Sequence, residues 1–410
     1  MAKSTTLPRS ALWFLGFLLV LALAKDVLSN GITLRCQIQG KTHYPGFRIL
    51  WKSADDVFAD SVLDSIRSYK LWKSYPYDAG SWTIFAPIAF TAGEKDSLNI
   101  AQPPGAVQQR SSFQFRHWLG TDENGRDVAA GIVAGARVAM LAGLAAMSLA
   151  MLLGILLGAL AGFYGDDRLR VRAGVWYLSI LGCILAFLIA FVQRQYVLRF
   201  DTTGWQWIIS ILVFSALWVL CYGIGVLLSK IPRFSKFITI PADMMIMRLA
   251  EIFKALPLMV LLLAVVAMVK TDHTFWILIM VIGAFSWTEI ALFVRADLLR
   301  VRALDYITAA RGMGYPERWI LWRHALPNAL RSALIVAAFG FGGVILLEAS
   351  LSFLGLGGQS MEGASWGSFL ARGDVNFRHW WVILPAATAI CLTILSVNSI
   401  GEALSKARNS

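Results

Sequence analysis

Charged residues are scarce in this 410-residue chain, at 15% against about 25% for a typical soluble domain, which excludes an ordinary water-facing globule. Proline is also sparse, with 12 residues beside 24 phenylalanines and 16 tryptophans, so neither a collagen-like rod nor a disordered tail fits. Only four cysteines occur, Cys36 in a polar stretch and Cys183, Cys221 and Cys391 inside apolar blocks. They share no C-x-x-C or metal spacing and read as small apolar filler rather than a disulfide framework. The chain lacks a Gly-x-x-x-x-Gly-Lys-Ser/Thr string, so it has no phosphate-cradling loop and is not expected to hydrolyse ATP. His43, His117, His273, His324 and His379 show no ligand spacing, and neither a metal site nor a catalytic residue is expected.

Apolar residues are abundant, at 57% with a mean hydropathy of +0.63, and fall in long blocks between short basic connectors. That is the pattern of a polytopic, all-α membrane protein, because a helix of roughly 20 apolar residues satisfies its own backbone across a bilayer. Spans are expected at 11–28, 132–163, 174–192, 205–228, 244–269, 275–296, 329–349 and 381–403, about eight in all. The first is the weakest; Lys3, Arg9 and Ala22-Leu23-Ala24 also fit a cleavable secretory signal, though polytopic proteins commonly keep such a segment as an anchor.

The net charge of +12 does not point to nucleic acid, because the basic residues sit in connectors rather than on one polar face. With the N-terminus inside, inner connectors hold Lys3, Arg9, Arg168, Arg170, Arg172, Lys230, Arg233, Lys236 and the cluster from Arg295 to Arg331, then Lys406 and Arg408. Short outer connectors hold only Arg194, Arg199, Lys270, Arg372 and Arg378, so both termini are expected in the cytoplasm. The organisation read from the chain is a tail and first helix at 1–28, a small extracytoplasmic domain at 29–127, a core helix and cytoplasmic loop at 128–173, an inserted helix pair at 174–228, and the remaining core at 229–410. Turn signals at Tyr44-Pro45-Gly46 and Pro103-Pro104-Gly105 mark the outer domain. Trp176, Trp205, Trp207, Trp276, Trp380 and Trp381 lie near span ends, as interfacial anchors do.

The cytoplasmic connector 295–327 is too long and too patterned for topology alone. Tyr306, Ala309, Ala310 and Met313 are spaced to share one helical face. Gly314 suits a left-handed helix stop, Pro316 favours a new start, and a second short helix is expected through Trp319 and His324, ending before Pro327. Two short helices with a tight bend would form a rigid knob for a partner; the plainer alternative is an interfacial amphipathic helix.

Thr308-Ala309-Ala310, Gly314 and Leu326-Pro327 resemble the "EAA–G–LP" signature of ABC-importer membrane subunits. His117-Trp118-Leu119-Gly120-Thr121-Asp122-Glu123-Asn124-Gly125-Arg126-Asp127, Gly135-Ala136-Arg137 and Gly162-Phe163-Tyr164-Gly165 are similar to dipeptide/oligopeptide permeases of the C type. So are Arg323-His324-Ala325-Leu326-Pro327-Asn328, the run from Glu348 to Gly357, and Ser365-Trp366-Gly367. The outer segment and Phe85-Ala86-Pro87-Ile88-Ala89-Phe90 look most like the Yej-type (microcin C) peptide permeases. The resemblance implies a six-helix importer core plus the inserted pair, in a bacterial inner membrane and embedded in lipid. It implies a homologous B-type permease partner, two ABC ATPases that bind ATP and Mg, and an extracytoplasmic peptide-binding protein. It makes Tyr306, Thr308, Ala309, Ala310, Arg311, Gly314, Arg318, His324, Leu326 and Pro327 the ATPase-coupling residues. Two features depart from the family: Thr308 stands where an acidic residue is usual, and the pair 174–228 is extra.

Arg137, Arg248, Glu251, Lys254, Glu289, Glu348 and Glu402 place charge in or near apolar blocks, where it is costly unless it faces protein or water. Arg248, Glu251 and Lys254 share a face that suits mutual pairing, while Glu289 and Glu348 are candidates for the substrate path. Gly363-Ala364-Ser365-Trp366-Gly367 spells a hydrolase-like G-x-S-x-G with Asp374 and His379 after it, but it lacks a strand-to-helix setting and reads as a turn. Two other functions compete with import by ATP. A secondary transporter would need broken helices, midplane ion pairs and inverted repeats, none of which the sequence displays. A non-transporting scaffold would make the coupling-like segment accidental.

Overall fold

The computed structural model describes residues 8–31, 33–38, 41–44, 82–108, 115–199, 205–231, 235–268, 274–357, 364–373 and 379–409. Nearly half of the expected outer domain, including Pro45-Gly46, lies outside them, as do Lys3, Arg233, Lys270, His273, Gly363, Asp374 and Arg378.

In chain order the helices and strands begin with α1 (Arg9–Leu23) and α2 (Lys25–Leu28). An antiparallel sheet follows, with β1 (Thr33–Ile38) between β2 (Lys41–His43) and β3 (Trp82–Phe85). The long α3 (Val128–Ala159) continues as a π turn through Leu160–Tyr164. Then come β4 (Arg170–Arg172), α4 (Ala173–Phe187) with its π extension Leu188–Val192, α5 (Gln195–Arg199), α6 (Trp205–Leu228) and β5 (Phe237–Thr239). The remainder is helical: α7 (Ala242–Ala255), α8 (Leu258–Met268), α9 (Thr274–Val301), α10 (Asp305–Gly312), α11 (Glu317–Ile320), α12 (Leu326–Phe353), α13 (Trp366–Gly373) and α14 (Trp380–Asn409).

Among the described residues, six helices are long and apolar enough to cross a membrane. The stretch expected as one span at 244–269 is instead α7 and α8, bent by 72°. The cause is Pro257, which has no amide hydrogen to donate and whose ring clashes with the preceding turn. The bent pair raises the count to seven, and α1, at 15 residues, is a shorter apolar helix. The break also corrects the expectation that no span is interrupted.

The chain divides into two compact units. In residues 157–251, α4 and α6 pack closely because Gly182 accepts the Cys221 side chain and Gly225 lies against Val175. β4 and β5 pair beneath them in register Val171 to Ile238. In the other unit, α12 packs against α9, α13 and α14, and α1 packs on α14. Its core joins Ala134, Ile345, Trp366, Phe369 and Ala386. Gly131 and Gly135 of α3 leave the space that Phe369 and Trp366 fill, and the Trp366 Nε1–H donates to the Ile132 carbonyl at 3.0 Å.

The described part of the hydrolase-like string, residues 364–367, leads into α13 and joins this packing. Ser365 is fully buried at the start of α13, where its hydroxyl accepts from the Ser368 amide at 3.3 Å and the Ser368 hydroxyl accepts from the Ser365 amide at 3.0 Å. Two reciprocal bonds cap the helix.

Candidate functional site

The segment 295–327 forms an elbow at one end of α9 and α12. Helix α10 is short because Gly314 stops it: φ is +83°, the Gly314 amide bonds the Arg311 carbonyl at 2.9 Å, and the Tyr315 amide bonds the Ala310 carbonyl at 3.3 Å. This is a left-handed glycine stop, and Pro316 then opens α11. The expected second short helix does not end before Pro327. A π turn, Leu321–Ala325, carries α11 into α12 without interruption, giving one helical rod over Glu317–Phe353. Pro327 sits at the first positions of α12, where the wider preceding turn removes the need for its missing amide hydrogen.

The helical face differs from the spacing argument as well. Ile307 and Ala310 turn inward, whereas Tyr306, Thr308, Ala309 and Met313 are exposed. Small Ala310 is therefore a packing residue, and Ala309 is the one that offers a close-approach surface. Arg311 grips the elbow from within: its Nε donates to Glu317 Oε1 at 2.8 Å, with a second contact to Oε2 at 3.4 Å and a third to the Arg302 carbonyl at 3.4 Å. Arg318 and Pro327 are exposed, while Leu326 is buried. Thr308, in place of the acidic residue, turns its hydroxyl toward the Leu304 carbonyl of its own helix at 3.5 Å.

An aromatic platform covers the outside of the elbow, and of its rings only Tyr306 and His324 belong to the expected coupling set. Tyr315 stacks on Trp319 with centroids 4.4 Å apart, His324 meets Trp319 edge-on at 4.9 Å, and Tyr306 lies 6.4 Å from His324. Asn328 ties it together by donating to the Tyr306 hydroxyl at 2.9 Å. Tyr315 and Trp319 were legible as aromatics interleaved with basic residues in a polar connector, a combination that favours contact with protein.

Further along the same helices lies a cavity of about 600 Å³, walled by Phe253 to Leu258 at the α7–α8 break, by Phe285 to Ile290 of α9, and by α3 and α12. Glu289 and Lys254 both line it. Glu348 does not; it is buried and accepts from the Ser352 hydroxyl at 2.7 Å. Arg248 pairs with Glu251 at 2.8 Å, without Lys254. Arg137 holds Asp26 of α2 at 2.8 Å. Among the described residues, no cluster of three His, Cys, Asp or Glu could hold a metal ion.

Residues 223–409 match the family described as binding-protein-dependent transport system inner membrane component. Over these residues the chain is similar to that family. The likeness reaches further in the inner membrane ABC transporter permease protein YejE of Escherichia coli K12, 25% identical across 96% of this chain and 90% of that protein. A putative peptide transport system permease protein of Brucella suis is 37% identical over 40% of this chain and 54% of its own length. The oligopeptide transport system permease protein OppC of Haemophilus influenzae is 34% identical over 40% of this chain and 51% of its own. The chain thus spans about half the length of the last two relatives.

The permease carries a second polar construction, in the segment 82–127 before α3. His117 is fully buried, stacked on Phe90 at 4.1 Å, with Nδ1 2.7 Å from Asp127 and Nε2 3.3 Å from Asp96. Burial alone would push His117 down, but the two carboxylates overrule it and hold it up at about 9. Burial would likewise raise Asp96, yet His117, Asn99 and the Leu98 amide bring it down to about 2. Asp127 also caps α3 by accepting from the Ala130 amide at 2.7 Å. Asp122 accepts the Asn124 and Arg126 amides at 2.8 Å each and pairs with Arg372, while Trp381 Nε1–H donates to the Thr121 carbonyl at 3.1 Å. Positive φ at Gly120 and Gly125 lets the chain turn twice within this knot.

A pH dependence follows. The His117 contribution to stability is complete below its unfolded value near 6.5 and is lost as pH rises through about 9. The Asp96 contribution is present above 3.8 and is lost as pH falls toward about 2. The thermal midpoint of the solubilised permease should fall between pH 7 and pH 10, and His117→Gln should flatten that fall. An equal fall in both proteins would assign the effect to other groups.

Proposed function

We propose that this permease forms one half of the path by which peptides or peptide-like solutes enter the cell, driven by cytoplasmic ATPases seated on the elbow. The observation that carries the reading is the elbow itself: an exposed aromatic and small-residue surface on a short helix that Gly314 stops and Arg311–Glu317 clamps. Tyr306, Thr308, Ala309, Gly314, Arg318 and His324 would meet the ATPase, while Ala310, Arg311, Leu326 and Pro327 would hold the elbow's shape. The Lys and Arg bias favours both termini in the cytoplasm. A homologous permease would complete the path, a binding protein outside would deliver peptide, and ATP with magnesium would be bound by the ATPases.

Gly314→Trp tests the docking. Gly314 is exposed and a β-carbon there would meet no neighbouring atom within 4 Å, so a side chain can project outward, although positive φ costs about 1–2 kcal/mol. The variant should still reach the membrane, while peptide-stimulated ATP turnover falls roughly 5–150-fold, the usual range of inter-site coupling. Gly314→Ala carries the strain without the bulk and should retain most of the coupling. Unchanged turnover in Gly314→Trp would remove the elbow from the interface. The break at Pro257 lends one observation to the ion-driven alternative, since discontinuous helices occur in secondary transporters. Deleting the ATPases separates the two, because uptake then stops under our reading and persists on an ion gradient.

A further inference from the structure

Building on the peptide path just described, we propose that the cavity at the α7–α8 break binds the two charged ends of a free peptide, Glu289 taking the α-ammonium and Lys254 the α-carboxylate. Among the described residues these are the only ionisable ones lining the cavity, they are of opposite sign, and both are exposed. Among the described residues neither makes an ion pair or hydrogen bond. The permease treats its other charges near the spans differently. Arg137 is held by Asp26, Arg248 by Glu251, and Glu348 by Ser352.

Position argues against lipid as the environment of Glu289. It stands roughly 22 Å along a 28-residue helix of roughly 42 Å, where a charge facing hydrocarbon is costly. A carboxylate kept there without a protein partner faces a wet cavity. The opposite wall favours an anion twice over. Lys254 lies in the last turn of α7, and beyond Pro257 the first turn of α8 presents amides that have no partner within the helix, with Leu256 and Leu258 lining the same space. Half-helices that begin at mid-depth are a recurring way to receive a carboxylate in membrane transporters.

Size and lining set the ligand class. About 600 Å³ lies within the roughly 300–1,000 Å³ of small-ligand sites and suits a short peptide rather than a folded chain. Met147, Phe253, Phe285 and Val344 give the rest of the wall apolar character without a further charge. Such a site reads termini and tolerates any side chain between them.

The test uses the whole transporter in proteoliposomes with its binding protein, and compares uptake of trialanine with N-acetyl-trialanine and trialanine amide. The wild type should prefer the free peptide over both. Glu289→Gln should lose about tenfold of the preference against the acetylated peptide while keeping that against the amide; Lys254→Met should do the reverse. Because the binding protein is the same in every arm, a change in either ratio belongs to this chain. Ratios unchanged in both variants overturn the proposal. So does loss of the partner permease on co-purification of either variant, which would make the two charges a subunit contact. A wild type that moves none of the three peptides on ATP would instead bring down the peptide reading, and this site with it.

Discussion

Solubilised permease carrying Asp127→Ala should be less stable than the wild type by about 4–6 kcal/mol. Two losses add. The N-cap of α3 disappears with the acceptor for the Ala130 amide, at about 1 kcal/mol. Removing one partner of a buried ion pair then leaves His117, which is fully buried and charged at neutral pH, with only Asp96 at 3.3 Å; such a loss costs about 3–5 kcal/mol. Asp127→Asn keeps a cap acceptor and should fall between the two proteins. Thermal unfolding followed by tryptophan fluorescence would read the series, and an Asp127→Ala protein as stable as the wild type would mean that the knot does not bear on α3.

Gly135→Leu should prevent the permease from accumulating in the membrane. Even a β-carbon at this position overlaps the Trp366 indole, which is fully buried and bound to the Ile132 carbonyl. Overpacking alone costs about 1–3 kcal/mol, and displacing the indole also breaks its hydrogen bond and opens the core around Ala134 and Ile345. Trp366→Ala should partly restore the Gly135→Leu protein, since it removes the clashing ring. Membrane fractions probed for the full-length chain give the answer; normal accumulation of Gly135→Leu would show that α3 and α13 can separate without harm.

Much of the architecture was legible because apolar blocks declare helices by length, and basic connectors divide them. The elbow's stop was readable too, since Gly314 followed by Pro316 admits few backbone solutions. Errors arose at two prolines, Pro257 read as lying within one unbroken span and Pro327 read as a helix stop. Pro257 breaks a helix by 72°, whereas Pro327 is absorbed beside a π turn. Local sequence looks alike at both sites, and the difference lies in whether the preceding turn can widen. Periodicity likewise grouped Ala310 with Tyr306, though burial of Ile307 turns the helix so that Ala310 packs inward. The knot at His117 was recognised only as a string, because its partners are spread from Phe90 to Asp127 and its chemistry appears once they are folded together. Arg137 and Asp26 are 111 residues apart, and no spacing rule links them.

The rod from Glu317 to Phe353 has 37 residues and is about 55 Å long. One end carries the aromatic platform and the other lies a turn beyond Glu348. A rotation of one degree about the elbow end therefore sweeps Phe353 sideways by about 1 Å. Ångström-scale rearrangement at the distant face thus demands only slight angular travel where force would be applied, and the π turn at Leu321–Ala325, set between lever and fulcrum, is where compliance in the stroke would reside.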